Sequence, residues 1–105
     1  MTKEQLREYR AIKKELQTLE VLYKRVARTG DAEMTERYEM LCQKANEELA
    51  AIESAIATLT PTERDLMRLR YIEGLSWQDI CRRINYCWQW THKIHASALQ
   101  KIKNL

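Results

Sequence analysis

The chain has 105 residues and a formal net charge of +3, with 45% hydrophobic and 31% charged residues but only two glycines and one proline. This composition is typical of an almost wholly helical protein that forms one small domain, or one domain with a helical arm. It provides no glycine-rich loop for nucleotide phosphates and no apolar run of about 18 residues for a membrane span or signal peptide, so we expect a cytoplasmic protein without membrane contact.

Two long amphipathic helices are predicted in the first part of the chain. Residues 2–28 carry a sustained heptad pattern, residues 32–58 repeat apolar side chains three and four apart, and Gly30 and Asp31 separate them as helix end and helix start. Equal lengths and a short connection predict an antiparallel, coiled-coil-like hairpin. Because a two-helix hairpin buries little, we expect it to pair with another copy as a homodimer, or to fold back on the following segment. The predicted stripes contain Tyr9, Ile12, Leu16, Leu19, Tyr23 and Val26, then Met34, Tyr38, Leu41, Ala45, Leu49, Ile52, Ile56 and Leu59.

Three shorter helices with recognisable ends are predicted in residues 59–105. The first starts at Thr60-Pro61 with Glu63 reaching back, and Gly74 ends it in a left-handed conformation. We therefore expect an all-α protein with two parts, an oligomerisation arm in residues 1–58 and a helix-turn-helix module in residues 59–105.

The second and third helices of this module should form the helix-turn-helix itself. Ser76 opens the second helix with Asp79 as its reciprocal partner, Asn85 stops it, and the third helix starts near Trp88. The second helix buries one side, formed by Trp77, Ile80, Cys81 and Ile84. The inner face of the third helix is predicted to contain Thr91, Ile94 or His95, Ala98, Ile102 and Leu105.

The outer face of the third helix carries the candidate DNA contacts. Gln89 can bond adenine in bidentate fashion, Lys93 can reach guanine or phosphate, and Ala96 can touch a thymine methyl group. Trp88 should be exposed and His92 should face DNA, whereas we expect Trp90 to pack against neighbouring helices and His95 to lie at the core boundary. Gln89 and Lys93 could instead contact phosphates alone, and Arg82 or Arg83 could be solvated or contact a phosphate. The full candidate set is Trp88, Gln89, His92, Lys93, Ala96, Arg82 and Arg83.

Positive charge is concentrated in the same part of the chain. Residues 1–58 have ten basic and eleven acidic side chains, a net charge of −1, whereas residues 59–105 have eight and four, a net charge of +4. No acidic side chain follows Asp79. A helix-turn-helix with this charge distribution is suited to phosphate binding.

Residues 59–105 resemble region four of bacterial sigma factors, the module that docks on the −35 promoter element. The end signals at Gly74 and Ser76 match in register, but Asn85 stands where sigma factors commonly have glycine, and Gln89-Trp90 where they commonly have Gly-Thr. The segment also resembles small phage regulators of the ArpU/RinA-like group. This resemblance implies that the protein could activate late or packaging genes. The matching residues are Leu59-Thr60-Pro61, Glu63-Arg64, Leu69-Arg70-Tyr71, Gly74-Leu75-Ser76-Trp77, Ile80, Tyr86, Trp88, Thr91-His92, His95, Ala98-Leu99-Gln100 and Ile102.

We therefore expect a sequence-specific regulator that binds double-stranded DNA and could also contact bacterial RNA polymerase. The alternatives are a packaging protein of the phage terminase small-subunit type and a polymerase-binding module without its own DNA specificity. An enzyme is not expected, because no nucleophile with a base and no paired carboxylates are evident. No cofactor is expected. A zinc site from Cys81, Cys87, His92 and His95 would have unusually wide spacing between its cysteines.

Overall fold

The computed structural model describes residues 1–105 and contains helices with no strand. The predicted all-helical class is confirmed. A π-helical turn at Arg68–Ile72 extends the fourth of six α-helices. The α-helices are α1 (Lys3–Arg7), α2 (Tyr9–Ala27), α3 (Ala32–Ala57), α4 (Pro61–Met67), α5 (Trp77–Ile84) and α6 (Trp88–Lys103).

Helices α2 and α3 lie against each other in antiparallel orientation. The Tyr9 hydroxyl near the start of α2 donates to Glu53 Oε1 near the end of α3 at 2.9 Å. One stripe residue was misplaced: Leu41 is 43% exposed, and Cys42 packs against the core instead. The two stripes are thus largely covered within the chain.

The connection between the two helices follows its local signals. Gly30 has φ +78°, the left-handed conformation that costs glycine nothing. The Asp31 carboxylate then accepts from the Met34 amide at 3.1 Å and caps α3. At the other end of the arm, the long helix predicted over residues 2–28 is interrupted at Glu8, which separates α1 from α2.

The arm folds back on the helix-turn-helix module, one of the two arrangements expected for it. Leu6 of α1 and Tyr9 of α2 are almost completely buried, in one continuous cluster with Leu66, Ile80 and Ile102 of the module. The backbone nitrogen of Met1 also donates to the Ile102 carbonyl oxygen at 3.3 Å. The beginning of the arm and the end of α6 therefore share a hydrophobic core.

The π-helical turn after α4 was not anticipated. The Glu73 amide bonds to the Arg68 carbonyl five residues back at 2.9 Å. The wider turn directs Tyr71 to the core, although regular α-helical spacing from Leu66 would point it sideways. Gly74, with φ +74°, then ends the helix as predicted. No helix is both long and apolar enough to cross a bilayer.

Candidate nucleic-acid interface

Helix α5 starts at Ser76, whose hydroxyl accepts from the Asp79 amide at 3.2 Å. The predicted reciprocal bond of this helix start, from the Ser76 amide to the Asp79 carboxylate, is absent. That carboxylate lies instead 3.7 Å from Arg82 Nη1, one turn further along α5. Ile80 is completely buried, and Trp77, Cys81 and Ile84 are half-buried. The cap and the buried side of this helix thus agree with the local sequence.

A tight turn at Asn85 sets the direction of α6. Asn85 has φ +61° and ψ +39°, and the Tyr86 amide bonds to the Cys81 carbonyl at 3.2 Å. Asparagine tolerates this left-handed conformation better than other residues with a side chain. Cys87 is extended, and its carbonyl accepts from the Thr91 amide at 2.9 Å, which starts α6 at Trp88.

The inner face of α6 anchors the helix in the core. Thr91, Ala98 and Ile102 are completely buried and His95 nearly so, whereas Leu105 is 68% exposed and was wrongly placed on this face. Leu105 follows the end of the helix, so the helical spacing does not extend to it. Cys81 Sγ lies 3.3 Å from Thr91 Oγ1 and ties α5 to α6.

Glu63 is a buried carboxylate that joins α4 to α6. Its oxygens accept from Lys101 Nζ at 2.8 Å, Thr60 Oγ1 at 2.7 Å and Ser97 Oγ at 3.0 Å. Burial by itself raises the pKa of Glu63, but these hydrogen bonds outweigh it and lower the pKa to about 2. Lys101 is consequently paired with a carboxylate of the same protein, although its side chain stays about half exposed.

His95 is the second buried polar group under α6. Its Nε2 lies 2.7 Å from the Tyr71 hydroxyl. Burial, reinforced by electrostatic interaction with Lys3, His92, Arg70 and Arg7, lowers the pKa of His95 to about 4. This side chain therefore holds α6 against the π-helical turn as a neutral imidazole at physiological pH.

Three of the seven candidate residues form an open surface on α6. Gln89, Lys93 and Ala96 are exposed on the side opposite the buried face, and Gln100 extends the same row. Gln100 was absent from the candidate set, although its helical spacing places it one turn beyond Ala96. Arg82 and Arg83 of α5 are also exposed, with Arg82 beside Asp79. The structure thus brings polar, basic and small side chains together on one face of α6.

Two tryptophans flank that surface. Trp88 is 55% exposed, as expected. Trp90 was predicted to pack against neighbouring helices, but it is 50% exposed. Trp90 follows the turn on the side away from the core, and Lys93 Nζ lies 5.7 Å from its ring centroid. Indole rings on both sides of Gln89 widen the apolar part of the exposed face.

The sequence predicts that His92 faces DNA, but in the structure His92 does not face outward. Its ring lies between Trp77 and Trp88, at centroid distances of 4.6 and 4.5 Å, and is half-buried. Its Nε2 is buried without a hydrogen-bond partner. Trp77 of α5 and Trp88 of α6 close over the imidazole, and a helical wheel of α6 alone does not reveal the contact with Trp77. His92 therefore supports the position of Trp88 and does not itself form part of the open surface.

Comparison with known proteins agrees with this architecture. Residues 49–85, from the end of α3 to the turn at Asn85, match the family described as Sigma-70, region 4. The chain is also 38% identical over 52 residues to the RNA polymerase sigma factor TcsR of Paraclostridium sordellii, a match covering 50% of this chain and 31% of the relative. No solved structure matches the chain. At the level of the family, these matches support a DNA-binding regulator with a helix-turn-helix similar to Sigma-70 region 4.

Proposed function

We propose that this protein is a transcriptional regulator that recognises a specific sequence in double-stranded DNA by placing α6 in the major groove. The observation that carries the proposal is the division of α6 into two faces. One face is buried through Thr91, His95, Ala98 and Ile102, while the other is open and contains no acidic side chain. A rigidly anchored helix with one free polar face is the element that a major groove accepts.

The exposed side chains suit both kinds of DNA contact. Gln89 lies in the first turn of α6, the part of a recognition helix that reaches base edges, and its amide can bond adenine N6 and N7. Lys93, one turn later, can bond guanine or a phosphate. Arg83 on α5 is exposed and belongs to no ion pair, so its guanidinium can contact a phosphate of the DNA backbone. These contacts would position α6 and supply sequence preference at one or two base pairs.

The biological setting is proposed from similarity alone. The relative is named as an RNA polymerase sigma factor, and on that basis we propose that this module also touches RNA polymerase at a promoter. On the resemblance to ArpU/RinA-like regulators we propose that the protein is phage- or prophage-encoded and acts on late or packaging genes in the bacterial cytoplasm. The matched segment ends at Asn85, before α6, so the promoter sequence of sigma factors is not carried over.

In vitro selection from a random duplex library, followed by footprinting on the selected site, tests this proposal. We expect one short motif to be enriched. Gln89→Ala should cost about 1–3 kcal/mol at one base pair of that motif while leaving the salt dependence of binding unchanged. Lys93→Ala should either make the slope of log affinity against log salt about 1 unit less steep, or relax one base preference.

Lys24→Ala is the matched control for these variants. Lys24 is exposed near the far end of α2, so the substitution removes the same charge without touching the module. It should leave both the selected motif and the salt slope nearly unchanged. If folded Gln89→Ala and Lys93→Ala proteins bind the motif as the parent does, the assignment of α6 is wrong. If the parent enriches no motif, the alternative of polymerase binding without DNA specificity is favoured instead.

A further inference from the structure

A basic cleft lies between the N-terminal arm and the helix-turn-helix module, away from the exposed face of α6. It has a volume of about 300 Å³, and four cationic side chains line it together with Tyr71, Gly74 and Trp77. The four are Lys3 and Arg7 of α1, Arg10 of α2 and Arg70 of the π-helical turn. Three different elements thus converge to concentrate positive charge at one place.

The cationic side chains of this cleft form no ion pair within the protein. The two ion pairs of the structure are Arg82 with Asp79 and Lys101 with Glu63, and neither includes a cleft residue. No acidic side chain lines the cleft. Like charges brought together in this way repel one another, so the arrangement suits an anion that joins them.

Arg70 is held in place at the wall of the cleft. Its Nη1 donates to the Leu75 carbonyl at 3.0 Å, and its guanidinium carbon lies 4.6 Å from the centroid of the Trp77 ring. A fixed guanidinium keeps its remaining N–H groups pointed in one direction, which favours phosphate recognition. Arg10 lies beside Gly74, where a Cβ atom would collide with its guanidinium. Glycine at this position serves the helix end, whereas the Arg10 guanidinium is the flexible end of an exposed side chain that can move aside.

Trp77 connects the cleft to the proposed reading helix. Its ring lines the cleft on one side and lies 4.6 Å from the His92 ring of α6 on the other. His92 in turn contacts Trp88 at the start of α6. The cleft is thus connected to the first turn of α6 only through the Trp77 and His92 rings. We expect a DNA strand bordering the occupied groove to extend to it. Phosphate contacts in such positions fix the register of a recognition helix.

We infer that the basic cleft binds a backbone phosphate of the DNA whose major groove α6 occupies, and that Lys3, Arg7 and Arg10 make the N-terminal arm part of the DNA interface. This inference rests on the proposed function. The ligand chemistry is that of a phosphate group held by guanidinium and ammonium donors, as in other phosphate sites of DNA-binding proteins. A free phosphate anion shares that chemistry, so the experiment must separate the two sources.

The test compares two double variants that remove equal charge from the same arm. Arg7→Gln with Arg10→Gln empties one side of the cleft, and Lys24→Gln with Arg25→Gln removes two exposed cations near the far end of α2. Binding to a random duplex of about 30 base pairs is followed by fluorescence anisotropy between about 50 and 200 mM salt. The cleft variant should make the slope of log affinity against log salt less steep by about 0.9 for each phosphate that it no longer binds, while the control keeps the parental slope. Circular dichroism melting, and the single variant Arg7→Gln at an exposed position, check that folding is intact.

Three results would overturn the inference, and they are distinguishable. If the cleft and control variants give the same slope while Lys93→Ala still weakens binding, the cleft is not part of the DNA interface and the proposed function stands. If the parent binds no duplex, the proposed function fails and the inference fails with it. If inorganic phosphate shifts the Trp77 indole NMR signal saturably, the cleft variant abolishes that shift and the DNA slope is unchanged, the cleft is a site for a free anion.

Discussion

His95 makes the stability of this protein depend on pH. Its imidazole is 6% exposed, and burial together with Lys3, His92, Arg70 and Arg7 lowers its pKa from 6.5 to about 4. Between these two values the unfolded chain binds a proton that the folded protein does not. Stability should therefore be complete above pH 6.5 and fall as the pH decreases towards 4, by about 3 kcal/mol at pH 4.

We expect His95→Gln to remove this dependence. Glutamine keeps a polar group near the Tyr71 hydroxyl but has no proton to gain. Urea titrations at several pH values measure the free energy of unfolding of both proteins. Between pH 7 and pH 4 the parent should lose about 3 kcal/mol relative to the variant. Parallel curves for the two proteins would show that the pKa of His95 is the same in the folded and unfolded states.

Glu63 titrates in a lower range and does not obscure this measurement. Its folded pKa of about 2 lies below the ordinary value of 4.5, despite the opposing effect of burial. The stabilisation from its bonds to Lys101, Thr60 and Ser97 is therefore complete above pH 4.5 and is lost as the pH falls towards 2. Of the two buried titratable groups under α6, only His95 responds in the mildly acidic range.

At the scale of single elements, the ends of the helices are the features most open to testing. Ser76→Ala should lower the free energy of unfolding by about 1 kcal/mol, because the Asp79 amide loses the oxygen that it contacts at 3.2 Å. Ser76→Asp keeps an acceptor at the start of α5 and should retain most of the stability. Gly74→Val should cost more than Ser76→Ala, because a branched side chain at φ +74° is strained. Urea titrations measure all three, and equal midpoints for Ser76→Ala and the parent would contradict the role of the cap.

These helix ends could be predicted from sequence because the bonds that form them are local. The bonds that define the starts at Thr60 and Ser76, and the positive φ angles of Gly74 and Asn85, depend on residues no more than five positions away. Residue types with particular backbone preferences mark such places without knowledge of the rest of the fold. The positions of α5, the turn and α6 follow from them.

The environment of individual side chains on α6 was less predictable. His92 is covered by Trp77 from another helix, and Trp90 is 50% exposed in an open cleft that it lines together with Thr60 and Thr62. Both outcomes depend on the packing of elements that are distant in sequence. The basic cleft was missed for the same reason. Lys3, Arg7 and Arg10 belong to a segment of balanced charge, and only folding brings them to Arg70.

At the scale of the whole molecule, the arm and the module share one core. Leu6, Tyr9 and Ile56 lie in the same cluster as Leu66 and Ile102, so the beginning of the hairpin is tied to the module. The far part of the hairpin extends away from it, in a molecule measuring 56 × 27 × 19 Å. The orientation of the arm relative to α6 is therefore set by packing, which is what a DNA contact from α1 would require.

Self-association through the hairpin stays a prediction, and the structure changes how it should be tested. Leu16 and its stripe are covered by α3 of the same chain, so charges introduced there would unfold the hairpin whether or not a dimer exists. The large apolar side chains still exposed on α3 are Met40 and Leu41, at 64% and 43%. A dimer interface on this helix would have to bury them.

We expect light scattering to show that the parent is a dimer at tens of micromolar. The double variant Met40→Glu with Leu41→Glu should be a folded monomer, because burying two unpaired carboxylates in an interface is strongly unfavourable. Val21→Glu is the control, since Val21 is comparably exposed, at 57%, but lies on α2. A dimer should also protect two DNA half-sites about one helical turn apart, and the monomeric variant only one. A monomeric parent at these concentrations would contradict the prediction, and the arm would then serve the single molecule by docking α1 beside α6.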